Sequence, residues 1–210
     1  AGGTMTADTL EGNGDENQIF SKLGHVDPWD HNWYFNISNN GFNFGWKDDG
    51  GFHDYQGTNR TMSANVDYIL SGVKADTEGR LYINGNQIGV MYGAGATKHN
   101  DQNIYIGGSG GSFKSVKGVV SEILVYNRGL TEEETDQVNA YLSEKWGIEL
   151  TESTEPADGS IFLDGQEIRA FSTSCTNYEH VLEKGTTEAP QVTADFGEAN
   201  VVIQQAEGVP

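Results

Sequence analysis

The chain has 210 residues, 28 of them glycine, with 36% hydrophobic and 10% aromatic residues. That is enough apolar material for a core and argues against wholesale disorder. Twelve Lys and Arg against 31 Asp and Glu leave a net charge of −19, which counts against nucleic acid and anionic membranes as partners. No apolar run approaches the length of a membrane-spanning helix.

Short β-like runs alternate with Gly, Asn and Asp turns through the first 127 residues. Trp33–Ile37 is one run. Phe42, Phe44 and Trp46 alternate with period two and share a face. Tyr68-Ile69-Leu70 is short and apolar, as expected of a buried strand. Leu81-Tyr82-Ile83 and Asn86-Gln87-Ile88 flank Asn84-Gly85, a pair that accepts the positive φ angles of a two-residue hairpin turn. Asn103–Gly107 and Val119–Tyr126 complete the series. Strands at this spacing predict an antiparallel β-sandwich over about residues 18–127.

One helix is predicted over 131–146. Thr131 and Glu134 match a capping box, and Glu132, Glu133 and Glu134 put negative charge at the positive end of the helix dipole. Val138, Tyr141, Leu142 and Trp146 form an apolar stripe that should dock on the sandwich and bury Tyr141 and Trp146; Gly147 stops the helix. Residues 151–159 are polar and turn-forming and read as a linker. A second β pattern follows in Ser160–Leu163, Tyr178–Leu182, Val192–Ala194 and Val201–Gln204.

Several ordered pieces carry a resemblance. Ser121–Thr131 contains Tyr126-Asn127-Arg128-Gly129-Leu130-Thr131 and runs on to Tyr141-Leu142-Ser143-Glu144-Lys145-Trp146. Gly79–Gly85 and Ile104-Tyr105-Ile106-Gly107-Gly108 precede it. Together they resemble the laminin-G-like (concanavalin A-like) jelly-roll modules of bacterial extracellular proteins. The resemblance implies an all-β jelly roll over 1–150 with one C-terminal helix. Residues 160–210 resemble part of an Ig-like β-sandwich. The jelly-roll family carries several strands before Ile19-Phe20-Ser21-Lys22, where this chain has 18 residues. Strands are therefore expected to be missing there and to come from a neighbouring segment or chain, with open edges near 18–25 and 195–205; the competing view lets residues 1–17 close the sheet. The two ends of the sequence read as a piece of a larger secreted or cell-surface protein. Cys175, the single cysteine, excludes an intrachain disulfide.

Concanavalin A-like glucanases carry paired carboxylates on one strand face, and no such run occurs here; Glu122 is alone in its strand and reads as structural. Nucleophile-elbow, zinc-protease and P-loop motifs are lacking too. Two aromatic and polar segments, His25–Trp33 and Trp46–Tyr55, suit a sugar site. A pyranose stacks on an aromatic ring while carboxylates and amides bind its hydroxyls. Trp33 and Trp46 fit the core better. Trp29, Asp30, His31, Asp54 and Tyr55 are the candidate ligand residues, with Trp29 and Tyr55 equally suited to a platform or a core. Asp27, Asp48 and Asp49 offer hard oxygens for calcium, or are solvated loop carboxylates of an acidic chain. His25, His31 and His53 lack the spacing of a transition-metal site. The expected function is non-catalytic binding of a glycan, neutral because the module is so acidic. The alternative is a structural or adhesive module that grips protein.

Overall fold

The alternation read from the sequence becomes two facing sheets in the computed structural model. It describes residues 2–7, 17–23, 31–38, 41–48, 51–56, 62–92, 95–97, 101, 103–108, 114–151, 160–167, 178–180, 182, 186–196 and 202–204. In chain order the elements are β1 (Gly2–Ala7), β2 (Asn17–Leu23), β3 (His31–Ser38), β4 (Gly41–Asp48) and β5 (Gly51–Gln56). Then come β6 (Asp67–Ala75), β7 (Glu78–Ile83), β8 (Asn86–Tyr92), β9 (Tyr105–Ile106), β10 (Lys114–Ser115) and β11 (Gly118–Leu124). The helix α1 (Glu132–Trp146) precedes β12 (Ser160–Leu163), β13 (Gln166–Glu167), β14 (Tyr178–His180) and β15 (Val192–Asp195).

The first sheet runs β11-β1-β6-β7-β8-β14 and the second β10-β2-β3-β4-β5, with β9 also on β2. All pairings are antiparallel except β10 on β2 and β14 on β8. This is the all-β sandwich that the alternation predicted. The expectation of missing first strands is corrected. β1 lies between β11 and β6, with Thr4 opposite Glu122 on one side and Ile69 on the other. Gly2–Ala7 is small and polar, so its apolar pattern is weak; its place is set by the backbone bonds that two flanking strands offer. β2 is not an open edge either, because β3 flanks one side and β9 and β10 the other.

The core between the sheets is aromatic. Phe35, Phe42, Phe44 and Trp46 of the second sheet meet Leu70, Leu81, Ile83, Ile88 and Met91 of the first. Trp46 is fully buried and Trp33 partly so, in line with the core reading of both. The β7–β8 hairpin turns on Asn84 and Gly85 at φ 49° and 80°, as Asn-Gly predicted. Its tip is tied down: Asn84 Oδ1 accepts from Ile69 N at 2.9 Å, and Thr151 N donates to Asn84 O at 2.8 Å.

The helix lies on the outer face of the first sheet. Its capping box is formed, with Glu134 N donating to Thr131 Oγ1 at 3.2 Å and Thr131 N to Glu134 Oε2 at 3.0 Å. Gly147 ends it in the left-handed region, at φ 66°. The docking face differs from the predicted one. Buried positions are Thr135, Asn139 and Leu142, spaced four and three. Leu142 packs with Ile69 and Ile148, and Ser71 Oγ donates to Asn139 Oδ1 at 2.8 Å. Tyr141 and Trp146 remain 46% and 41% exposed, which corrects the expectation that both are buried. The reason is the polar Ser71 on β6: it makes the helix bury an amide at the centre of its face, and the rings stay at the margin.

In residues 160–210, β12 pairs with β13 and β15 as a three-stranded sheet, while β14 joins β8 of the large sheet. Residues 202–204 carry no strand, against expectation. The described part of this segment does not show an Ig-like sandwich.

Two outcomes follow for α1. Leu142→Ala should cost about 2–5 kcal/mol in urea unfolding, as for a core leucine, and more than Trp146→Ala. An equal or larger loss for Trp146→Ala would contradict this docking. Glu134 is held down at about 2, first by the hydrogen bond from Arg128 and then by the Thr131 N–H. A depressed carboxyl contributes stability above its ordinary value of 4.5 and loses it as the pH falls to its folded value. The gap in Tm between wild type and Glu134→Gln should therefore be widest above about pH 4.5 and close towards about pH 2. A gap independent of pH would refute the pairing.

Candidate functional site

The face of the second sheet turned away from the core is polar. Register sets Gln18 opposite Asn36, Asn36 opposite Asn43, and Asn43 opposite Gln56. In the next row Ser21 faces Tyr34, Tyr34 faces Gly45, and Gly45 faces Asp54. Strand alternation puts these rows on the side opposite Phe35, Phe44 and Trp46. Gln18, Ser21, Tyr34, Asn36 and Asn43 are all buried. Asn43 Nδ2 donates to Asn36 Oδ1 at 2.6 Å, and Ser21 Oγ donates to Gly108 O at 3.3 Å. A Cβ on Gly45 would lie 2.3 Å from the Tyr34 ring, so glycine is what lets that ring lie across β4. The result is an enclosed layer of amides and hydroxyls.

The candidate ligand residues divide. Asp27, Trp29, Asp30 and Asp49 lie outside the described residues, as do the side chains of His31, Asp54 and Tyr55. Backbone register puts His31 opposite Leu23, Asp54 opposite Gly45 and Tyr55 opposite Phe44. Asp54 thus belongs to the row of Tyr34 and Gly45, and Tyr55 to the row of Phe35 and Phe44.

Asp48 is buried at the end of the core, where its Oδ2 accepts from Gly95 N at 2.6 Å. Lys74 stands nearby with its Nζ 5.7 Å from the centroid of Trp46. Burial lowers the Lys74 pKa, and the charges of Asp48 and Asp76 oppose that shift. A calcium ion needs six to eight oxygens. Among the described residues no three His, Cys, Asp or Glu come together, and Asp48 already serves a backbone N–H and a lysine. Asp27 and Asp49, the other two candidate calcium ligands, lie outside the described residues.

On the helix side, Glu122 is a hydrogen-bonding hub, which gives specific content to the structural role expected of it. Its Oε2 accepts from Trp146 Nε1 at 2.8 Å; its Oε1 accepts from Lys145 Nζ at 3.0 Å and from the Tyr141 hydroxyl at 3.3 Å. The Trp146 bond, then that of Lys145, lowers its pKa. Tyr141, Lys145 and Trp146 sit at i, i+4 and i+5, a spacing that brings them to one carboxylate. That spacing is present in the sequence, where the apolar character of Tyr141 and Trp146 points to the core instead.

A family model described as the concanavalin A-like lectin/glucanases superfamily matches residues 9–135. The chain belongs to that superfamily. Among curated proteins no sequence matches it. Solved structures similar to this concanavalin A-like module include the CBM40 of the Ruminococcus gnavus IT-sialidase bound to α2,6-sialyllactose. That pair has a TM-score of 0.52 and 17% identity, covering 66% of this chain and 80% of that one. A heptameric SAP-like pentraxin from Limulus polyphemus gives 0.50 and 17%, covering 93% and 78%. At this identity the likeness speaks to fold.

The polar layer of this concanavalin A-like sheet makes a direct prediction. Asn36→Ala strips the buried Asn43 amide of its acceptor and should cost about 1–3 kcal/mol in urea unfolding. In a double-mutant cycle Asn36→Ala and Asn43→Ala should be strongly non-additive. Additive losses would mean that the pair is not coupled.

Proposed function

We propose that this chain is a non-catalytic glycan-binding module of a secreted or cell-surface multidomain protein. The superfamily holds both lectins and glucanases, and the choice between them is chemical. Hydrolysis of a glycosidic bond takes two carboxyl groups flanking it, about 5–5.5 Å apart for retention or about 6.5–9.5 Å for inversion. One observation carries the reading. The described side chains on the polar face of the second sheet include Gln18, Ser21, Tyr34, Asn36, Asn43 and Lys47, with no acid among them. Among the described residues the backbone position of Asp54 adds one carboxyl to that face, and one carboxylate by itself cannot serve as both acid and nucleophile.

The glycan is neutral. A net charge of −19 repels sialylated or uronic chains at long range. The sialyllactose of the Ruminococcus gnavus module belongs to that module. A competing reading makes the chain an adhesive module that grips protein.

A glycan array carrying neutral and sialylated structures, read together with a reducing-sugar assay, separates these readings. Retention on neutral glycans without release of reducing ends is expected. A blank array would favour the protein-binding alternative, and cleavage of a retained glycan would overturn the non-catalytic reading.

A further inference from the structure

A groove of about 400 Å³ runs between α1 and the chain that leads into it. Leu124, at the end of β11, and Tyr126, Arg128 and Leu130 of the lead-in, which bends at 127–128, form one wall. Glu134, Gln137, Val138 and Tyr141, spaced three, one and three, form the helical wall. Its volume is at the small end of the range of ligand clefts, about 300–1,000 Å³.

The chemistry of the walls is mixed in a specific way. Leu124 and Val138 are partly buried against the helix-docking cluster and Leu130 is buried, which gives an apolar floor. Tyr126 and Tyr141 stand 42% and 46% exposed above it. The Tyr141 ring is pinned, because its hydroxyl donates to Glu122 and accepts from Lys145 Nζ at 2.8 Å. Arg128 is locked to Glu134 by two bonds, Nη1 to Oε2 at 2.6 Å and Nη2 to Oε1 at 2.7 Å. Thr131 N holds the same carboxylate from the backbone. Gln137 adds an exposed amide that both donates and accepts.

We propose that this groove binds a neutral pyranose unit. The inference rests on the glycan-binding reading and names a place for it. The Tyr141 ring, preset in orientation, and the exposed Tyr126 ring offer aromatic surface for the C–H face of a sugar ring. A carboxylate, a guanidinium and an amide held in fixed geometry match vicinal hydroxyls, which donate and accept at once. The two charges cancel within the groove, so an anionic or cationic ligand gains no net attraction there, and the acidic surface disfavours anions further. Preorganisation by the capping box and by Glu122 lowers the ordering cost of binding.

The test uses the intact chain in amide NMR, titrated to millimolar concentration with lactose, cellobiose and N,N′-diacetylchitobiose, and with the neutral glycan best retained on the array. At least one probe should shift the Gln137 side-chain amide and the backbone amides around Tyr126. Tyr126→Ala and Gln137→Ala should each weaken that probe about tenfold or more at unchanged Tm. If a glycan binds while these resonances stand still, and both variants bind it as wild type does, the groove is not the site although the module still binds glycan. If no probe binds at all, this proposal and the functional reading fail together.

Discussion

The sandwich depends on one close approach between its sheets. Trp46 projects from β4 into the core and is fully buried, and it meets β7 at Gly79, where a Cβ would lie 2.2 Å from its ring. Gly72 of β6 makes the same allowance for Phe35, where a Cβ would lie 2.8 Å from the ring. Rings on one sheet and bare backbone on the other let the layers close without a void. Loss of one such ring from a core costs roughly 3–5 kcal/mol, a large share of the 5–15 kcal/mol that holds a domain folded. Phe44 lies between Phe35, on which it stacks, and Trp46, to which it is tilted, with centroids 4.9 and 5.1 Å away, so the aromatic series acts as a unit.

That packing gives each sheet an outer face with its own task. On the first sheet β1 and β6 receive the helix, β11 holds its margin through Glu122, and β7 holds its lead-in. Arg80 is buried there and donates to Leu130 O at 2.7 Å; it also pairs with Glu78. Glu122 gathers the margin of the helix into one hydrogen-bonded cluster. Because both the lead-in and the helix are fixed on the sheet, the groove between them has rigid walls. On the second sheet the outer face carries a buried layer of amides and hydroxyls, Gln18, Ser21, Tyr34, Asn36 and Asn43.

Fold class, the Asn-Gly hairpin and the capped helix were legible because each is written in local spacing. Trp46 and Phe42 alternate, Asn84-Gly85 permits positive φ, and Thr131 and Glu134 stand three apart. What was not legible depended on partners distant in sequence. β1 is a strand because β6 and β11 bracket it, which Gly2–Ala7 cannot reveal alone. The helix faces inward with Asn139 because Ser71, 68 residues earlier, supplies the donor. For the site, the acidic and aromatic runs at 25–33 and 46–55 drew attention through composition. The groove residues carry the local signature of a strand end and a helix, and nothing in their spacing says that the two walls face each other. Asp48 is buried and so is not a solvated loop carboxylate, in line with the period of two from Trp46 that places it on the core side.

A crystal of the chain grown with its best-retained neutral oligosaccharide tests the central claim most directly. The account predicts an intact oligosaccharide with one pyranose against Tyr126 and Tyr141 and its hydroxyls on Glu134 and Gln137. A cleaved oligosaccharide, or an intact one bound elsewhere with this groove filled only by water, would contradict it.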